Sequence, residues 1–217
     1  MIYEQRIYKA VPGKLPAINA RFANHTIGFF EEFGIGVVGF WNDEIGESNQ
    51  LTYITSFENM ADREEKWNAF QSHKPWHEVR AETEANGPLV SQVINSFMSL
   101  TPYSPQPAFK TNLQEKRVYD TMPGKLPNLH ARFKDHTMGL FEKHGIQNVA
   151  YWTEDIGTSN RLVYMVGYPD LDAREKGWAG MNADPEWQKA RAASEVDGAL
   201  VRVSKHSILR LTDYSPR

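Results

Sequence analysis

Residues 4–105 align with residues 115–216 at a constant offset of 111, with no insertion or deletion and about 42 of 102 positions identical. YEQRIYKAVPGKLP near the start returns as QEKRVYDTMPGKLP, ARFANHTIGFFEEFGI as ARFKDHTMGLFEKHGI, and TPYSP as TDYSP. Units of about 100 residues are too long for a solenoid, and two copies are too few for a propeller. The chain is therefore read as two small domains, 1–105 and 113–217, joined by a proline-containing linker at 106–112. Such a pair is expected to pack as a fused pseudo-two-fold dimer.

Within a repeat, the spacing of apolar residues predicts β-α-β-β-α-β. Residues 2–11 are β-branched and aromatic-rich, and Pro12-Gly13 ends the run. Leu15, Ile18, Phe22, Phe29, Phe30 and Phe33 recur at helical intervals, with Gly34 as the stop signal. Strands follow over 35–45 and 51–57, then a helix from Asn59 that breaks near Pro75, and a last strand over 89–100. This is the order of the ferredoxin-like split βαβ unit, which leaves one sheet face bare. The expected fold class is α+β, with tandem ferredoxin-like βαββαβ repeats packed sheet to sheet as an intramolecular dimeric α/β barrel.

Composition removes several classes of function. Without cysteine there is no disulfide scaffold, thiolate metal site, iron–sulfur cluster or thiol nucleophile. A net charge of −3 with no basic block argues against nucleic acid, and no apolar run reaches the roughly 20 residues of a membrane-spanning helix. No targeting segment is visible at the N-terminus, so a cytoplasmic location is expected. Gly34 to Gly39 satisfies G-x-G-x-x-G, yet it leads from a helix into a strand, the reverse of a dinucleotide site. Hydrolase elbows, HExxH and P-loops are absent, and no metal site is expected.

Positions that survive in both copies point to candidate functional residues. Glu4, Arg6 and Tyr8 recur as Glu115, Arg117 and Tyr119 while the residues between them change, which places the three on one strand face. His25 and His136 form the one retained histidine pair. His25 lies three residues after Phe22 and four before Phe29, which predicts the apolar side of the first helix. There it would meet Arg6, Tyr8, Trp41 and Tyr53, and in the second copy His136 would meet Arg117, Tyr119, Trp152 and Tyr164. The functional expectation is a polar patch in an aromatic pocket, with His25 and His136 as catalytic candidates. Against it stands a packed core in which the histidines are satisfied and the tryptophans fill volume. Arg21 and Arg132, with Lys14 and Lys125, would make an anion-binding rim, or else solvated surface charge. Asn49 is assigned to a tight turn, and Arg63 to a tie between its helix and a loop carbonyl or Glu64.

The opening YEQRIYKAVPGKLP, the helix segment RFANHTIGFFE, the hairpin WNDEIGESN, and DREEKW and WHEVR all return in order in the second half. Together they resemble the NIPSNAP family, over 2–105 and again over 113–216. The resemblance implies the dimeric α/β-barrel superfamily and a poorly defined activity. Its animal members are associated with mitochondria and protein–protein roles, but the chain opens without their N-terminal extension and is read as the bacterial type. The first expectation is a protein that binds a small molecule or a protein partner, with two equivalent pockets and no cofactor. The alternative, from relatives elsewhere in the superfamily, is a cofactor-independent or haem-dependent oxygenase or an isomerase. In that case His25 and His136 would transfer protons or coordinate haem. A homo-oligomer of the fused pair is also expected to be accessible.

Overall fold

The alternating β1 strand (Ile2–Ala10) sits at the centre of its sheet, paired antiparallel with β3 (Gln50–Phe57) on one side and β4 (Val90–Leu100) on the other. The computed structural model describes residues 1–216. β2 (Gly36–Ile45) completes the order β2-β3-β1-β4. Between β1 and β2 run α1 (Leu15–Arg21), a π-helical turn (Phe22–Thr26) and α2 (Ile27–Glu32). After β3 come α3 (Met60–Ser72) and α4 (Lys74–Thr83).

The second repeat matches element for element. It has β5 (Leu113–Thr121), α5 (Leu126–Arg132), a π turn (Phe133–Thr137) and α6 (Met138–Lys143). Then follow β6 (Gln147–Ile156), β7 (Arg161–Tyr168), α7 (Leu171–Ala183), α8 (Pro185–Ser194) and β8 (Val201–Leu211). β5 is again central, between β7 and β8. Each repeat is thus the expected α+β, ferredoxin-like βαββαβ unit, and none of the helices among the described residues is long and apolar enough to cross a membrane.

Local chemistry accounts for the boundaries. The side chains of Asn59 and Asp170 cap α3 and α7 by accepting from the backbone N–H of Asp62 and Ala173. A proline in the first turn of α4 and of α8 cannot continue the preceding helix, and His73 and Asp184 are extended there. Asn49 and Asn160 carry positive φ values of 62° and 57° in the β2–β3 and β6–β7 turns, as assigned from the sequence. Asn49 also donates from Nδ2 to the Ala10 carbonyl at 2.8 Å. Asn49→Gly, which keeps the backbone free but loses that bond, should cost about 0.5–1.5 kcal/mol. Asn49→Ala adds roughly 1–2 kcal/mol of left-handed strain and should melt lower still. Thermal unfolding of the three proteins checks the order.

The chain divides into two compact units. Unit one comprises residues 1–99 with 211–216, and unit two comprises 100–210. Each unit holds one copy of the repeated T-x-Y-S-P motif. In unit one, Thr212 N–H donates to the Phe40 carbonyl at 3.0 Å, Ser215 Oγ accepts from Phe40 N–H at 2.9 Å, and the Tyr214 hydroxyl donates to Asn19 Oδ1 at 2.6 Å. In unit two, Thr101 and Ser104 make the same backbone bonds to Tyr151. The motif is thus a clasp on the β2 or β6 strand.

Each core lies between a sheet face and its helices. In unit one Phe22 is central, with ring centroids 5.1 Å from Tyr53, 5.3 Å from Phe40 and 5.8 Å from Tyr8. In unit two Phe133, Tyr151, Tyr164 and Phe141 repeat the cluster.

Candidate functional site

Glu4, Arg6 and Tyr8 all face the helices, as the alternation of β1 requires. Glu4 is fully buried and binds three partners, Arg6, Asn95 and Arg63 from α3, the last through Nε at 2.9 Å. Arg63 therefore ties its helix to the central strand, which corrects the expectation of a loop carbonyl or Glu64. Arg6 donates from Nε to the Tyr53 hydroxyl at 2.8 Å and lies 4.4 Å from the Trp67 ring. In the second repeat, Glu115 binds Arg117 and Arg174, both at 2.8 Å, and also accepts from Tyr168 and Trp178. Arg117 donates to the Tyr119 hydroxyl, which also receives a bond from Tyr164.

The space above these residues is open in both repeats. A cavity of about 310 Å³ lies in unit one, lined by Arg6, Tyr8, Tyr53, Trp67, Trp76 and Arg21 among others. Its counterpart of about 450 Å³ in unit two is lined by Arg117, Tyr119, Tyr164, Trp178, Trp187 and Arg132 among others. Arg21 and Arg132 are 5% and 6% exposed, so they are not the surface charges of the alternative expectation. Each is paired with a carboxylate, Glu84 at 2.8 Å or Glu195 at 2.9 Å, and lies over a tryptophan, Trp76 or Trp187. Their Nε atoms are buried without a partner. Lys14 and Lys125 do not line the cavities.

Burial alone would raise the pKa of Glu4 and Glu115. The guanidiniums and hydrogen bonds around them win, and both carboxyls are held below the ordinary range. Burial, followed by the neighbouring Tyr8 or Tyr119, pushes the Tyr53 and Tyr164 phenols up, so both stay protonated at neutral pH.

The histidines are placed differently from expectation. His25 and His136 are exposed and line neither cavity. The π turn is the reason: Ile27 N–H bonds to the Phe22 carbonyl five residues back, and Met138 to Phe133, so the wider turn rotates the histidine, three residues after each phenylalanine, outward. Thr26 and Thr137 take the inward place. His136 instead borders an outer groove with Asp135, Lys143 and Glu186. A haem held by either histidine inside its pocket does not fit these positions. Trp41 and Trp152 are fully buried but also outside the cavities. Each neighbours a ring, Phe40 or Tyr151, that faces the helices, so strand alternation turns it to the opposite sheet face.

Several pocket residues escaped the sequence reading. Trp67, Trp76, Arg80 and Glu84 line the first cavity, and Trp178, Trp187, Arg191 and Glu195 line the second. All are identical between the copies. Their joint retention at helical spacing was the available signal. Among the described residues, no group of three or more His, Cys, Asp or Glu side chains is placed to hold a metal ion.

A tandem ferredoxin-like protein with a charged aromatic pocket in each repeat is the class that this fold and these clefts define. The chain belongs to the NIPSNAP family, whose model matches residues 3–105 and again 114–216. A NipSnap homolog from Dictyostelium discoideum is 24% identical over 182 residues, 80% of this chain and 72% of the relative. Two solved structures share the fold over nearly the whole chain. One, a candidate monooxygenase from Fusobacterium nucleatum, has a TM-score of 0.62 at 12% identity, covering 97% of this chain and 91% of its own. The other, an anthrone oxidase-like protein, has a TM-score of 0.63 at 6% identity, covering 99% and 92%.

Proposed function

We propose that this NIPSNAP protein binds small planar aromatic anions, one in each repeat, between the sheet and the helices. The charge count in and behind each pocket supports this reading. Arg6, Arg63, Arg21 and Arg80 surround the carboxylates Glu4 and Glu84, four cations against two anions. Arg117, Arg174, Arg132 and Arg191 repeat the excess around Glu115 and Glu195. The whole chain carries −3, so a cationic excess retained in both pockets is local and points to an anionic ligand. The tryptophan and tyrosine rings supply flat apolar walls, and guanidiniums bind carboxylates in a bidentate fork.

Calorimetric titration with naphthalene-2-carboxylate and its neutral carboxamide tests the reading. The acid should bind at two sites per chain and at least about tenfold more tightly, a difference of roughly 1.4 kcal/mol. The double variant Arg21→Met/Arg132→Met should erase that preference. Equal affinity for acid and amide, or binding of neither, overturns it.

A second reading, an oxygenase or isomerase, draws on the fold shared with the candidate monooxygenase and the anthrone oxidase-like protein. His25 and His136 lie outside the pockets, so such chemistry would fall to Arg6, Tyr8, Tyr53 and their counterparts.

A further inference from the structure

The two pockets differ at one place that bears on chemistry. Opposite Arg6 and Tyr8 on β1, strand β4 places Asn95 and Val93. Opposite Arg117 and Tyr119 on β5, strand β8 places His206 and Ser204. Asn95 donates to the buried Glu4 at 3.1 Å and has no further chemistry. His206 keeps the same neighbour, with Nδ1 3.6 Å from Glu115 Oε1, and adds a second nitrogen. That nitrogen, Nε2, lies 2.5 Å from Ser204 Oγ. Ser204 and His206 both line the cavity.

We propose that the second pocket is a hydrolytic site in which Ser204, His206 and Glu115 act as nucleophile, base and orienting carboxylate on small aryl esters. The proposal rests on the reading that this pocket admits a small aromatic molecule, and goes beyond binding. The Glu115 carboxylate favours the tautomer with the proton on Nδ1, which leaves Nε2 to accept from the Ser204 hydroxyl. The 3.6 Å separation is long for a hydrogen bond, as such contacts often are before substrate binds. Arg117 and Arg174 hold the same carboxylate, so two guanidiniums flank the group and can stabilise a developing oxyanion. Trp178 and Trp187 form aromatic walls for the leaving group.

The atoms balance without a further reagent. Ser204 Oγ bonds to the acyl carbon as its proton passes to Nε2, and the ester C–O bond breaks as the phenol oxygen takes that proton. Water then attacks the acyl-serine and gives a proton to Nε2, which returns it to Oγ as the carboxylic acid leaves. Partial desolvation at the pocket mouth, where the side chain stays 37% exposed, lowers the His206 pKa below the ordinary 6.5, and Arg117 and Arg174 lower it further against the opposing pull of Glu115. The imidazole is therefore the free base at neutral pH.

The test uses the full chain, p-nitrophenyl butyrate and a fluorophosphonate probe. Two variants install the first repeat's own residues, Ser204→Val and His206→Asn, and His136→Ala serves as an outer-surface control. The wild type and the control should hydrolyse the ester, take one probe per chain on Ser204, and show a rate rising with an apparent pKa below 6.5. Both pocket variants should lose at least about a hundredfold in rate. They should still bind naphthalene-2-carboxylate, which separates failure of the chemistry from failure of the pocket reading. A wild type that leaves Ser204 unlabelled, or a His206→Asn variant within twofold of wild type, overturns the proposal.

Discussion

Replacing Glu115 by leucine should lower the free energy of unfolding by about 3–5 kcal/mol, the cost of breaking a buried ion pair from one side. The carboxylate is fully buried and is shared by Arg117, Arg174, the Tyr168 hydroxyl and the Trp178 indole. Removing it takes the carboxylate from two guanidiniums, one of them only 7% exposed, and leaves the Tyr168 hydroxyl without its acceptor, while the Trp178 indole keeps its bond to that hydroxyl. Glu4→Leu should follow for the same reason, through Arg6, Arg63 and Asn95. Urea denaturation of the triple variant Glu115→Leu/Arg117→Met/Arg174→Met makes the argument sharper. With both sides of the pair gone, most of the loss should be recovered. A single variant within 1 kcal/mol of wild type, or a triple variant no better than the single, would refute this account.

The same carboxylates set an acid limit. Their folded pKa values lie below the ordinary 4.5, so the unfolded chain takes up protons first as the pH falls. Their contribution is complete above about pH 4.5 and is lost as the pH drops through the folded values. Glu84 and Glu195, lowered by Arg21 and Arg132 against the effect of burial, act in the same direction. Unfolding free energy should fall steeply below pH 4.5 in wild type and more gently in Glu115→Leu.

The fold was legible because the repeat and the two periodicities agree with local punctuation. Pro12-Gly13, Gly34, Asn49, Asn59 and Pro75 mark ends that apolar spacing alone would blur. Glu4, Arg6 and Tyr8 were legible by the simplest rule, since period two survives in a central strand without a bulge at those positions. The seat of the T-x-Y-S-P clasp was not, because the motif closes on a strand far from it in sequence. Nor was the polarity of Arg21. An arginine four residues from a histidine reads as surface until Glu84, 63 positions on, supplies the partner that lets it be buried. His25 failed for a different reason. A regular 3.6 residues per turn through Phe22–Thr26 would put its imidazole inward, whereas the backbone makes a wider turn there.

That rotation can be measured directly. Phe22 sits at the centre of the first aromatic cluster, in ring contact with Tyr8, Phe30, Phe40 and Tyr53. Phe22→Ala should therefore cost about 3–5 kcal/mol, transfer and cavity terms together. His25, three residues on, would cost a comparable amount if the segment were a regular α-helix with its imidazole in the core. In the π turn it points to solvent, and His25→Ala should change stability by no more than about 0.5 kcal/mol. Thr26, which takes the inward place and donates to the Arg21 carbonyl at 3.3 Å, should behave as the buried residue of the pair. Thr26→Ala is expected to lose about 1 kcal/mol through that bond and the methyl packing. Urea midpoints for the three variants fix the phase of the helix without a structure. If His25→Ala proved more damaging than Thr26→Ala, the π turn would be wrong, and the histidine would return to the pocket as its candidate base.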